Sequence, residues 1–328
     1  MSYIIGSFNV LKLSNETHEE IRKDYDLLAR IISNEGFDVI ALQEVLSENP
    51  IRDFLLPALG PQKWDYVWDA PKMFSTGSQE GYAFLWNKRR LRLVEAEDNP
   101  KIYNRYRIRG SRASGTVKNL IGAKGLIRPP FVARFTPAGL LGGSNFEIRL
   151  VNTHIIFEKP KNADDFMISS DLSDVRIRRQ ELSTLSEEIY RMVSTKQYGD
   201  NMPSYTFLLG DYNLCLCGSE SKMDEFIKID NTRILRTVQK EKTSLKQPQR
   251  DDNGNAIPLD DYYAHNYDHF SYETDLDDKL KLKVSRVDAL AQYCSNDLKI
   301  YRQKVSDHVP IKLTLNLTLR EGLRSYGG

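Results

Sequence analysis

Residues Thr206 to Leu214 read TFLLGDYNL, and the rest of the chain is organised around them. An apolar run too short for a helix breaks at Gly210 and delivers a carboxylate, an aromatic ring and a carboxamide: Asp211, Tyr212 and Asn213. The pattern predicts a buried strand that ends in a polar site. Asp211 offers an ionised acceptor, and Asn213 a neutral group that both donates and accepts. Together they suit holding a water or a metal against a phosphate oxygen. Gly210 lets the backbone turn sharply enough to present both side chains. By itself such a cluster is also what a turn with Asx hydrogen bonds to its own backbone looks like.

The same pattern recurs along the chain. Tyr3–Val10 (YIIGSFNV) reads as a strand ending at Asn9, and Asp38–Val45 (DVIALQEV) as a buried strand carrying Gln43 and Glu44 near its end. A carboxylate inside a buried strand requires a metal ion or an Arg partner, because an unpaired buried charge is costly. Strands are also expected at Trp64–Asp69, Gly81–Trp86, Leu91–Glu95, Phe131–Phe135 and Asn145–Asn152, the last running into Thr153 and His154. Further strands are expected at Asn266–Tyr272, with Asp268 and His269 inside it, at Val284–Ala289 and at Ile311–Leu317, preceded by Asp307 and His308. Helical spacing marks Thr17–Glu35, with Gly36 as its stop, and a short helix opens after Asn49-Pro50. A long helix is predicted over Asp174–Val193, where Leu182, Leu185, Ile189 and Met192 share a face. Strands outnumber the helices able to cross between them, so mixed or largely antiparallel sheets, stacked face to face with helices outside, are expected.

Composition bounds the rest. The 328 residues, 40% hydrophobic, can bury a large core, and no apolar run is long enough to span a bilayer. MSYIIGSFN lacks a basic region before its short apolar stretch, and the three cysteines make an odd count, so a reducing cytoplasmic setting is expected. One α/β domain over 1–328 is expected, with a basic arm at about 101–128 and a polar insertion at about 240–264. Lys101 to Arg134 contains Arg105, Arg107, Arg109, Arg112 and Arg128 and no Asp or Glu, interleaved with Tyr103 and Tyr106. Such an arm suits phosphate-backbone contact; the alternative is a solvated loop balancing the acidic stretch Asp251 to Asp278.

Collected, the strand-end residues are Asn9, Glu44, His154, Asp211, Asn213, Asp268, Asp307 and His308. The ordered motifs SFNV, LQEV, VNTH, GDYN, NYDHF and SDHVP resemble the endonuclease/exonuclease/phosphatase superfamily over nearly the entire chain. Gln79-Glu80-Gly81-Tyr82, Arg128-Pro129-Pro130 and Tyr267-Asp268-His269-Phe270 resemble its deoxyribonuclease I branch. The resemblance implies a four-layer α/β sandwich whose strand ends converge at one edge. It further implies a divalent metal, usually Mg²⁺ with Mn²⁺ as a substitute, bound chiefly by Glu44 with Asn9 or Asp307. An oxygen donor set fits a hard cation on chemical grounds as well. His308 is expected to pair with Asp268 and His154 with Glu80, with Asp211 and Asn213 orienting the attacking water or a second ion.

The implied activity is metal-assisted hydrolysis of a phosphodiester, with DNA as the nucleic-acid partner and no obligate protein partner. Two departures stand out. The branch typically places an Arg and a Tyr where this chain has Leu46 and Ser78, which leaves the basic arm to supply affinity. The calcium sites and disulfide of secreted relatives do not carry over clearly. The alternatives are a phosphatase or phosphodiesterase acting on lipid headgroups, inositol phosphates or nucleotides, and a catalytically silent binding protein.

Overall fold

The computed structural model describes residues 2–15, 22–69, 80–94, 106–107, 126, 128, 130–138, 146–158, 173–197, 202–217, 221–248 and 261–317. Fourteen strands make two sheets among these residues. The first contains β1 (Ser2–Leu13), β2 (Val39–Val45), β3 (Trp64–Asp69), β4 (Gly81–Asn87), β13 (Lys283–Arg286) and β14 (Ile311–Asn316), in the order β13-β14-β1-β2-β4-β3. The second contains β5 (Leu91–Leu93), β6 (Tyr106–Arg107), β7 (Phe131–Pro137), β8 (Glu147–His154), β9 (Ser204–Asp211), β10 (Phe226–Lys228), β11 (Ile234–Val238) and β12 (Asp268–Glu273). Its order is β10-β11-β12-β9-β8-β7-β5, with β6 also on β7. Among the strands of the described residues, only β1/β2 and β8/β9 pair in parallel; the other strand pairings are antiparallel, as the surplus of strands over helices predicts.

Period-two alternation sorts each strand between two cores. On β1 and β2, Tyr3, Ile5, Val39 and Ala41 meet Ile148, Leu150, Phe207, Leu209, Phe270 and Tyr272 of the other sheet in an inter-sheet core. The opposite faces pack on helices. Ile40 and Leu42 join Leu28, Ile31 and Ile32 of α1 (Tyr25–Asn34), while Val151 and Leu208 join Leu182, Leu185 and Ile189 of the helical segment after β8. Helix, sheet, sheet and helix are the four layers.

Several elements differ from expectation. Helix α1 begins at Tyr25 rather than Thr17, because the Asp24 carboxylate accepts from Leu27 N and caps it; residues 16–21 lie outside the described residues. At its far end Gly36 takes φ +72°, the predicted stop. After Pro50 a π-helical turn (Ile51–Leu55) leads into α2 (Leu56–Leu59). The long helix is α3 (Asp174–Thr184), a π-helical turn (Leu185–Tyr190) and α4 (Arg191–Thr195). That wider turn rotates the inward face by a residue, so Val193 is buried and Met192, expected on the apolar face, is 43% exposed. Ala289 does not end a strand; it opens α6 (Ala289–Cys294), which with α5 (Asp275–Leu280) and α7 (Leu298–Lys304) was not legible in the polar C-terminal third.

The stretch after Leu214, read as irregular, contains β10 and β11. Of the polar insertion at 240–264, Leu245 bridges Tyr263 and both join the outer core; residues 249–260 lie outside the described residues. Most of the basic arm, Arg105, Arg109 and Arg112 included, also lies outside them. No helix of the described residues is long and apolar enough to cross a membrane.

Candidate active site

Inner-facing positions change character at one end of the sandwich. Along β1 the series is Tyr3, Ile5, Ser7, Asn9; along β2, Val39, Ala41, Gln43; along β8, Ile148, Leu150, Asn152, His154; along β9, Phe207, Leu209, Asp211. Antiparallel β12 enters at the same end with Asp268 and turns apolar at Phe270 and Tyr272. A first polar layer seals the core. Gln43 Nε2 donates to Asn152 Oδ1 at 2.7 Å and to Ser7 Oγ at 3.2 Å, and Asn152 Nδ2 donates to Leu42 O at 3.0 Å. The next layer holds the site residues. His154, Asp211 and Asp268 are register partners in one row across β8, β9 and β12.

Backbone departures aim what the regular pleat would misplace. Glu44 falls on the outer-facing parity of β2, but the register with β4 slips between Leu42 and Val45, and Glu44 takes φ +59°. A left-handed non-glycine residue costs about 1–3 kcal/mol and persists only where its surroundings enforce it. Here Glu44 Oε1 accepts from Asn9 Nδ2 at 3.0 Å and Oε2 from Lys12 N at 3.1 Å. Lys12 and Leu11 are themselves left-handed, in the bulge between Asn9 and Leu13, with Leu11 N donating to Asn9 Oδ1. Gly210, at φ +144°, is fixed by space: a Cβ there would lie 1.8 Å from Thr153 O of the neighbouring strand. Asn213 is left-handed (φ +50°); its N–H donates to Asp211 Oδ1 at 2.9 Å and its Nδ2 to Ile155 O at 2.8 Å.

One oxygen lies at the centre. Asp211 Oδ2 accepts from Asn9 Nδ2 at 3.0 Å and stands 3.7 Å from His154 Nε2 and 3.6 Å from His308 Nε2. Each imidazole is held from behind by a carboxylate: His308 Nδ1 is 2.7 Å from Asp268 Oδ2, and His154 Nδ1 is 3.2 Å from Glu80 Oε2. Burial disfavours the charged form of His308, but Asp268 and Asp211 outweigh it and raise the pKa to about 10, so the ring is an imidazolium at neutral pH. Burial would likewise raise Glu80; His154, then Arg128 and Lys12, bring it below the usual carboxylate value.

The structure therefore brings together Asn9, Glu44, Glu80, His154, Asp211, Asn213, Asp268 and His308. Asp307 lies 3.4 Å from Arg302, and its charge acts on His308 and, together with that of Glu44, on Lys23. Arg128 donates to Glu80 Oε1 at 2.9 Å and so braces the partner of His154; its Nε and Nη1 are buried without hydrogen-bond partners among the described residues. Arg107 is described by its backbone alone, paired with Phe131. His269 is fully buried between Val238 O and Leu214 O and serves the core. Sequence reasoning missed Arg178, on α3, whose Nη1 donates to Asn213 O at 2.7 Å. An Arg on a helix's buried face was the available signal.

The donor set suits a hard divalent cation. Glu44 and Asp211, both held by Asn9 Nδ2, supply carboxylate oxygens without a thiolate, and Asp211, Asp268 and His308 bring ligand atoms within 4.8 Å of one another. Asp268 Oδ1 is buried without a hydrogen-bond partner among the described residues, which leaves a buried acceptor open to a bound group.

This sandwich with a cation-ready, doubly His-flanked carboxylate is a phosphoesterase architecture. The Endonuclease/Exonuclease/phosphatase family model matches residues 6–308, and the chain belongs to that family, whose members hydrolyse phosphoester bonds. No curated protein matches the sequence. Among solved structures, a family protein from Bacteroides thetaiotaomicron is similar at 13% identity, covering 97% of this chain and 99% of its own, with TM-score 0.51. A mannosyl-6-phosphatase from the same organism matches at 15% identity (95% and 99% covered, TM-score 0.50). ANGEL2, a 2',3'-cyclic phosphatase, matches at 15% identity (96% of each chain, TM-score 0.51). At these identities the likeness is one of fold.

Proposed function

We propose that this protein is a Mg²⁺-dependent phosphodiesterase that cleaves DNA internally by in-line attack of water. The observation that carries the reading is Asp211 Oδ2 flanked at 3.7 and 3.6 Å by two imidazoles, each backed by its own carboxylate. A phosphodiester needs a water positioned on one side, a leaving oxygen protonated on the other, and negative charge neutralised between them.

Glu44, oriented by Asn9, and Asp307 as a further carboxylate would hold the cation, which when bound neutralises charge on the phosphoryl oxygens. Asp211 accepts a proton from the attacking water, with Asn213 fixing its orientation. Asp268 keeps His308 protonated and directs its Nε2–H into the cleft, where it donates to a phosphoryl or leaving oxygen. Glu80 holds the His154 ring on the opposite side, and Arg128 steadies Glu80. The choice of nucleic acid over a small phosphoester is supported by the acid-free basic stretch Lys101 to Arg134.

Purified protein incubated with Mg²⁺, Mn²⁺ or EDTA against plasmid, linear DNA, RNA, sphingomyelin and inositol phosphates tests the reading. Nicking of plasmid that EDTA abolishes is expected. Release of phosphate from the small esters with plasmid left intact would replace it with the phosphatase alternative.

A further inference from the structure

An aromatic ridge borders the candidate site where β8 ends and β12 begins. Phe157, just beyond His154, remains 48% exposed. Its ring meets Tyr267 edge-on, with centroids 6.3 Å apart and planes at 62°, and Tyr267 stacks on the exposed His265 at 4.8 Å and 18°. On the Phe157 side the Arg178 guanidinium carbon lies 4.7 Å from the ring centroid. The ridge is joined to the reacting groups through the backbone. Tyr267 directly precedes Asp268, its carbonyl accepts from Tyr212 N at 2.8 Å, and Arg178 Nη1 holds Asn213 O at 2.7 Å.

A single exposed Phe is ordinary. Here Phe157 and His265 stand exposed at the two ends of a buried Tyr267 ring (8% exposed) that touches both, and a buried Arg pins the Phe157 end; the bridging ring lies directly before a site carboxylate. Arg178 is itself only 6% exposed, and its Nε has no hydrogen-bond partner among the described residues. A sugar phosphate or an inositol phosphate has no π face to set against such rings. A nucleobase has one, and each base stacked on an aromatic side chain strengthens binding about tenfold or more. Paired bases within a duplex already stack on their neighbours, so a base that reaches this ridge is an unpaired one.

We propose that the exposed rings of Phe157 and His265, braced by the buried Tyr267 between them, form a stacking platform for an unpaired nucleobase flanking the phosphodiester held at Asp211, so that single-stranded or locally unpaired nucleic acid is the preferred substrate. The proposal rests on the phosphodiesterase reading and adds a strand preference to it.

Two single-stranded tetranucleotides test it, one with 2-aminopurine beside the central phosphodiester and one with a tetrahydrofuran spacer in its place. Binding is followed by 2-aminopurine fluorescence and by competition, and cleavage in parallel with Mg²⁺. The wild-type protein is expected to quench the fluorophore and to bind the base-bearing strand at least about tenfold more tightly than the spacer strand. Phe157→Ala should erase that gap while leaving affinity for the spacer strand within about twofold. Phe157→Leu, which keeps an apolar side chain without a ring, should behave like Phe157→Ala, and Phe157→Trp should preserve the preference.

Equal wild-type affinity for the two strands, no binding of either, or a gap that survives Phe157→Ala overturns the platform. Cleavage of both strands without a base preference overturns the platform and leaves the phosphodiesterase reading intact. Base-dependent binding without cleavage of either strand supports the platform and removes the phosphodiesterase reading.

Discussion

Asp211 Oδ2 sits 3.0 Å from an amide and 3.7 and 3.6 Å from two imidazoles, and this crowding of donors on one oxygen makes the residue-level predictions. Replacing either imidazole removes a proton carrier. His154→Ala and His308→Ala should each lower turnover by about a hundredfold or more, the scale of lost acid–base catalysis, in steady-state cleavage assays. Near-normal nicking by either variant would remove that histidine from the reaction. Gly210 is a structural counterpart. A Cβ at 1.8 Å from Thr153 O cannot be accommodated without parting β8 from β9, and φ +144° is strained for any other residue. Gly210→Ala should therefore cost at least ~3 kcal/mol in urea denaturation, combining overpacking with backbone strain.

At the scale of elements, the sheets are tied together just beneath the site by Gln43 of β2 and Asn152 of β8. Removing one member of a buried amide pair strands the other, so Asn152→Ala and Gln43→Ala should each destabilise by about 2–3 kcal/mol. The double variant should cost clearly less than the sum of the two, measured by a double-mutant cycle. Additive losses would mean that the pair does not couple the sheets.

This scale also shows what the sequence made legible. Asn9, His154, Asp211 and Asp268 could be read because period-two alternation carries an apolar inner face directly into a polar one at the strand end. The aim of Glu44 could not, since it depends on a one-residue slip against β4 that leaves no local signature. The exposure of Met192 had the same origin, a π-helical turn hidden inside good helical spacing. The Arg302 partner of Asp307 was not legible either, since it lies on α7, an element whose polar sequence gave little periodicity. The Phe157–Tyr267–His265 ridge joins rings from distant segments, and no single window contains it.

Across the whole molecule, four layers gather the candidate site residues at one shared edge of two sheets, so the proposed chemistry and stability draw on the same buried charges. His308 makes this measurable. Its pKa is raised to about 10 in the folded state from an ordinary 6.5, so it binds its proton more tightly when folded. Its contribution to stability is full below about pH 6.5 and is lost as the pH rises toward 10. In EDTA, the stability difference between wild type and His308→Gln should shrink from about pH 6.5 to 9.5 in urea denaturation; a constant difference would mean the ring is not held as an imidazolium.

The most direct test of the account is a Mg²⁺ titration of phosphodiester cleavage by the wild-type protein and by Glu44→Gln. Cleavage should be absent in EDTA and saturate with Mg²⁺, and Glu44→Gln should need roughly tenfold or more Mg²⁺ to reach half of its own maximum. Cleavage that persists in EDTA, or a Glu44→Gln titration that overlays the wild type, would contradict a cation held at this edge of the sandwich.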